Sequence, residues 1–148
     1  MRGRPEVADA QPRGAAGAGC REDPRLNLKL PAEPASVPTF RRRASQFAAE
    51  QGVGKDVVAD VALAVSEAVT NAVKYANVSA GEGVVELSAA TSGSWLEVRV
   101  RDHGEGFGKG SSDGLGLGLA IIARLCADLK IIQEGDGTEV LMRFPLPD

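Results

Sequence analysis

Asp56-Val57-Val58-Ala59-Asp60-Val61-Ala62-Leu63-Ala64-Val65-Ser66-Glu67-Ala68-Val69-Thr70-Asn71-Ala72-Val73-Lys74-Tyr75-Ala76 is the stretch on which the reading of this chain turns. It contains neither Gly nor Pro and has the length of a long helix. With Asp60 at zero and 100° per residue, Val57, Val61, Ala64, Ala68, Ala72 and Ala76 fall between about 40° and 160°, one apolar face. Glu67 falls near about −20°, Asn71 near about +20° and Lys74 near about −40°, a polar stripe one residue wide. Such a stripe is usually the wet side of a helix. Its composition says more: a carboxylate, a neutral amide one turn on, then a cation. Those groups suit a metal–phosphate complex, with an oxygen for Mg²⁺, an ammonium for phosphate charge and a carboxylate to orient a nucleophile.

Outward from this helix the period changes. Upstream, Leu26, Leu28 and Leu30 alternate with polar residues, a short half-buried strand that Pro31 ends. Val37, Phe40, Ala44 and Phe47 recur at helical spacing, with Gly52 as the stop. The run Arg41-Arg42-Arg43 reads as the solvated face of that helix. Downstream, Val84–Ala90 and Trp95–Arg101 read as strands joined by Thr91-Ser92-Gly93-Ser94. Leu117–Ala127 reads as a third helix. Leu129–Gln133 and Thr138–Phe144 then form a hairpin across Glu134-Gly135-Asp136-Gly137. Interspersed helices and hairpin-joined strands predict an α+β two-layer sandwich: a mixed, largely antiparallel sheet covered on one face by helices.

The chain has 148 residues, one domain's worth, with 43% hydrophobic and 25% charged residues, a globular composition. Residues 1–24 are rich in Gly, Ala, Pro and Arg without an apolar period and are expected to form a disordered leader; residues 25–148 form a single domain. That leader lacks the apolar core of a secretory signal, and no apolar run approaches the ~20 residues of a membrane span. The net charge of −3 argues against non-specific nucleic-acid binding. Cys20 and Cys126 stand outside any CxxC pattern, and a reducing, cytoplasmic setting is expected.

Two glycine-rich runs follow the Trp95–Arg101 strand. In Asp102-His103-Gly104-Glu105-Gly106-Phe107 a carboxylate stands at a strand's end, and the glycines let backbone approach a ligand. Gly114-Leu115-Gly116-Leu117-Gly118-Leu119 leads into a helix, whose N-terminal N–H groups suit phosphate. It is not a dinucleotide fingerprint, because the spacing is G-x-G-x-G and no parallel strand precedes it. Gly108-Lys109-Gly110-Ser111 is not a P-loop either, since Gly follows the Lys.

In order, Glu67-Ala68-Val69-Thr70-Asn71-Ala72-Val73-Lys74-Tyr75, Asp102-x-Gly104-x-Gly106, Gly114-x-Gly116-x-Gly118 and Gly137-Thr138 resemble the GHKL nucleotide-binding fold. Within it the chain looks most like the anti-sigma-factor serine/threonine kinases, bacterial switch proteins. The resemblance spans about residues 26–145 and implies ATP and Mg²⁺ as cofactors. It implies that Asn71 ligates Mg²⁺, that Glu67 is the general base toward a protein hydroxyl, and that Lys74 faces the phosphates. By the same resemblance Asp102 accepts from the adenine amino group with Thr138 in support, and Gly104 and Gly106 shape the adenine pocket. Gly114, Leu115, Gly116, Leu117 and Gly118 would form the lid over the triphosphate. The implied partners are a sigma factor and a STAS-type anti-anti-sigma protein, with homodimers common among such proteins.

Two other readings share these residues. A histidine-kinase ATP-binding domain needs a phospho-acceptor His on a dimerisation helix, whereas the one His is His103, inside the Asp102–Phe107 run. A non-catalytic, ATP-dependent binding switch would keep the nucleotide site and phosphorylate nothing.

Overall fold

The computed structural model describes residues 24–76, 83–103, 115–134 and 137–147. The elements run β1 (Arg25–Pro31), α1 (Ser36–Glu50), α2 (Lys55–Ala76), β2 (Val84–Ser92), β3 (Trp95–Asp102), α3 (Leu115–Leu125), β4 (Asp128–Glu134) and β5 (Gly137–Pro145). The strands form one sheet in the order β1-β2-β3-β5-β4. The expected largely antiparallel sheet is found, and every neighbouring pair among the described strands is antiparallel. The reason is connectivity. Two tight hairpins supply the β2–β3 and β4–β5 pairs, and the long return through α3 and β4 brings β5 back alongside β3 in the opposite sense.

The hairpin between β2 and β3 is tighter than the four-residue turn its sequence suggests. Strand pairing continues to Ser92↔Trp95, leaving Gly93 and Ser94 as the turn, and Gly93 takes φ +61°. That left-handed backbone matches the twist of the flanking strands and is open to Gly at no steric cost. Gly52, at φ +87°, ends α1 in the same way.

Each strand's two-residue period divides the sheet into a helix-covered face and an open one. Val85, Leu87, Ala89, Leu96, Val98, Val100, Val140, Met142 and Phe144 are buried under the helices with Phe40, Phe47, Val61, Val65 and Val69. On the open face, cross-strand ion pairs replace apolar packing. Arg143 Nε lies 2.9 Å from Glu97 Oε2, directly opposite in register, and Arg99 Nη1 lies 2.9 Å from Glu139 Oε2. Both pairs are part-buried, with the carboxylates better covered than the guanidinium groups, and they hold the charged side chains in register.

α2 is the central helix: it packs on α1 and α3 and against β2, β3 and β5. Its small face of Ala64, Ala68 and Ala72, all buried, lets its backbone lie close to its neighbours. α1 is pinned to β1 where Ser36 Oγ donates to Pro31 O at 2.8 Å. α3 begins at Leu115, two residues before the expected start, and passes into β4 through the Ala127 N–H to Arg143 O bond of 2.8 Å. None of the helices described is long and apolar enough to cross a membrane.

Phe40 is fully buried between α1 and the sheet, whereas Leu63 is 46% exposed on α2. Phe40→Ala is therefore expected to lower unfolding free energy by about 3–5 kcal/mol. Leu63→Ala should change it by less than about 0.5 kcal/mol, both read by urea denaturation.

Candidate functional site between helix 2 and the sheet

Four polar or charged residues are buried among those described: Ser36, Asn71, Asp102 and Thr138. Ser36 is explained by its bond to Pro31 O. The other three are all residues that the sequence motifs single out, and they lie on α2, β3 and β5, elements in mutual contact.

Asp102 follows from strand arithmetic. Leu96, Val98 and Val100 point into the core at every second position, and the next step on that face is a carboxylate. It is 1% exposed, and its Oδ2 has no hydrogen-bond partner, although the residue is engaged in other interactions. Thr138, also 1% exposed, stands directly opposite Asp102 in the β3–β5 register. Beside it, an added Cβ on Gly137 would come 2.5 Å from the Asp102 backbone oxygen, so only glycine lets the strands meet there.

Asn71 follows from helix arithmetic. The sequence groups Asp60, Glu67, Asn71 and Lys74 in one polar stripe, without saying how deeply each is covered. In the structure exposure falls across that stripe: Lys74 is exposed, Asp60 and Glu67 are half-buried, and Asn71 is 5% exposed. The gradient follows the wheel, because Asn71 stands about 60° nearer the apolar face than Lys74. What covers Asn71 is α3, whose Gly118 lies directly against its amide. The Asn71 Nδ2 is buried without a hydrogen-bond partner. A buried amide nitrogen with no acceptor costs about 1–3 kcal/mol, so its retention points to a ligand oxygen that accepts from it, such as one of a phosphate.

Of the residues expected over the triphosphate, Leu117 and Gly118 stand in α3 as its sequence pattern predicts, and Leu115 and Gly116 join them because the helix starts two residues earlier. Gly104, Gly106 and Gly114 lie outside the described residues, as does nearly all of the expected leader. His103 reaches Glu86 Oε1 through its Nε2, on the exposed side of the sheet's end. The contact that sequence reasoning missed is Gly118 on Asn71. Its one signal was a glycine inside an apolar helical run, where alanine is the better helix former. Away from the site, burial pushes the Cys126 thiol up from its ordinary value, against an opposing backbone hydrogen bond at Asp128. Its Sγ donates to Ile122 O at 3.2 Å, a packing role at the end of α3.

The residues present fit Mg²⁺. Asn71 offers one neutral, hard oxygen donor at the border of a buried interface, and Mg²⁺ on a nucleotide takes few protein ligands.

An open antiparallel sheet under three helices, with an unsatisfied amide and a buried carboxylate held between the layers, defines a ligand-binding α+β sandwich. Within that class, the chain belongs to the histidine kinase-like ATPase domain family, whose profile matches residues 30–144. It is similar to the serine-protein kinase RsbW of Listeria monocytogenes serotype 4a, 36% identical over 80 residues, 54% of this chain and 51% of that protein. The serine-protein kinase RsbW of Bacillus subtilis is 37% identical over 80 residues, 54% of this chain and 50% of that protein. The chain thus spans about half the length of the curated relatives it matches. A solved structure, that of the RsbU and RsbW domains of Rv1364c from Mycobacterium tuberculosis, superposes with a TM-score of 0.67 at 26% identity. That match covers 83% of this chain and 32% of the other.

The Gly137 contact sets a test of the Asp102 end. Gly137→Ala should destabilise the fold by about 1–3 kcal/mol by forcing β3 and β5 apart. Gly54→Ala, with nothing within 4 Å of the new Cβ, should change stability by less than about 0.5 kcal/mol. Thermal and urea unfolding of the two variants separates these outcomes.

Proposed function

We propose that this chain is an ATP-dependent protein serine/threonine kinase and anti-sigma factor, which phosphorylates a STAS-type anti-anti-sigma protein in a bacterial partner switch. The observation that carries the reading is the buried, unsatisfied Asn71 amide with the half-buried Glu67 carboxylate one helical turn before it. The naming of its relatives as serine-protein kinases supports the choice of acceptor. A cytoplasmic setting and a homodimer are part of the same proposal.

In this reading Asp102 accepts a hydrogen bond from the adenine 6-amino group, with Thr138 beside it. Guanine has a carbonyl at that position, so two acceptors would face each other in a buried site. Asn71 would hold Mg²⁺ through its side-chain oxygen, and Lys74, exposed at the edge, would meet the phosphates. Bound there, Mg²⁺ supplies neutralisation of phosphate charge. Glu67 lies toward solvent from Asn71, where a protein acceptor can reach it. Its carboxylate takes the proton of the acceptor hydroxyl as the oxygen–phosphorus bond forms, while the bond from the γ-phosphorus to the bridging oxygen breaks and ADP leaves. Gly104 and Gly106 would shape the adenine pocket, and Gly114 with Gly116 and Gly118 would cover the triphosphate at the start of α3, where a helix N-terminus favours anionic oxygens.

The purified chain should bind ADP and ATP with Mg²⁺, and GTP at least about tenfold more weakly. Asp102→Asn should weaken adenine nucleotide binding by about 1–3 kcal/mol. Equal ATP and GTP affinity by calorimetry would remove the adenine assignment.

Glu67 and Asn71 separate kinase from switch. Asn71→Ala should lose Mg²⁺-dependent nucleotide affinity and phosphotransfer together. Glu67→Gln should keep nucleotide affinity within about 1 kcal/mol while phosphotransfer falls ~10²–10⁴-fold, the range for loss of a general base. Labelled ATP and a purified anti-anti-sigma protein give the readout. Wild-type transfer by Glu67→Gln contradicts the base assignment, and a wild type that binds its partner but never phosphorylates it establishes the non-catalytic switch.

A further inference from the structure

We propose that Gly118 is a positioning residue, whose missing side chain sets where the Asn71 amide stands. This rests on the reading of Asn71 as the Mg²⁺ ligand. Gly118 is buried inside α3, flanked by Leu117 and Leu119, in a helical run where alanine would be favoured on propensity alone. Its backbone needs no positive φ. Conformational freedom therefore does not explain the glycine. Space does. A Cβ at this position would lie 2.6 Å from Asn71 Nδ2, 3.2 Å from Oδ1 and 3.3 Å from Cγ. The three nearest atoms all belong to one amide group, which is therefore the first obstacle an added side chain meets.

The amide is also held without a hydrogen bond at Nδ2. Packing against α3 is thus the restraint on that side, and the Gly118 backbone is the wall. Ordinary van der Waals contact begins near 3.4 Å, so at 2.6 Å from an added Cβ the amide would have to shift. Mg²⁺ demands near-ideal octahedral geometry at about 2.0–2.1 Å and tolerates little displacement of a ligand. G118A should therefore act on the metal-dependent part of nucleotide binding and spare the metal-independent part, which belongs to Asp102 and Thr138 on the sheet. Because α3 follows directly on the glycine-rich segment after β3, the same contact ties the start of that helix to the metal ligand.

The test uses the full chain as wild type, G118A, N71A and the double variant, with ADP titrated by calorimetry in Mg²⁺ and in EDTA. In Mg²⁺, G118A should bind ADP about 10–100-fold more weakly, the range for displacing a metal ligand through its support. In EDTA it should match wild type within about twofold. The double variant should be no weaker than N71A, since one mutation acts through the other. Melting temperature without ligand gives a second, independent arm. Removing the Asn71 amide makes room for the new Cβ, so the double variant should melt at or above N71A. A lower melting temperature in that pair means that something other than the amide opposes the Cβ and overturns the proposal. Additive losses in the double variant overturn it as well, as does an intact Mg²⁺ response in G118A while N71A loses it. An intact Mg²⁺ response in N71A itself contradicts the metal reading on which the proposal stands.

Discussion

The two-residue period of β3 puts a carboxylate inside this molecule. Leu96, Val98 and Val100 commit one face of the strand to the core, and Asp102 continues that face without a break. A buried carboxylate is costly unless the fold or a ligand meets it. The surrounding elements are arranged around that constraint. β5 pairs directly with β3, which brings Thr138 opposite Asp102, and Gly137 lets the two backbones come close enough to do so. The hairpin partner β4 is displaced to the edge of the sheet by this pairing.

A second constraint comes from α2. Its alanine face lets it sit close to the sheet and to α3, and the same closeness buries an amide at the edge of its polar stripe. The helix therefore serves two environments along one line of residues. Lys74 is in water, Glu67 is at the border, and Asn71 is inside. For phosphoryl transfer between a small bound nucleotide and a large protein acceptor this ordering is useful. In the proposed reading, the group that would meet the metal is shielded from solvent, while the group that would meet the acceptor stays within reach of a protein surface.

Much of this was legible from residue types alone. Helical periods located the three helices of the described residues, alternation located the strands, and Gly93 and Gly52 marked their turns. The polar residues of the site stood out because their types suit one chemistry. Three features were not legible, each for a physical reason. Strand order depends on long-range pairing, and alternation in β5 does not say which neighbour it will choose. The start of α3 was set too late because Gly116 reads as a loop residue, while tertiary packing on α2 holds the helix there. The burial of Asn71 was missed because a helical wheel assigns a side to each residue but does not say where a neighbouring helix ends. Gly118 decides that, and its role shows only when α2 and α3 are placed together.

The central claim is that the Asn71 amide and the Asp102 carboxylate lie at the metal end and the base end of one nucleotide pocket. Nuclear magnetic resonance of the isotope-labelled chain with Mg²⁺·ADP, compared with Mn²⁺·ADP, tests both ends at once. Mg²⁺·ADP should shift the resonances of Asn71, Gly118, Asp102 and Thr138 together. Paramagnetic Mn²⁺ should then broaden the Asn71 side-chain amide and the Gly118 backbone amide most strongly, with weaker broadening at Asp102 and Thr138 and none at Arg25–Leu28 on the far edge strand. Broadening centred on Asp102, or a pattern that leaves Asn71 untouched at saturating nucleotide, would contradict the account.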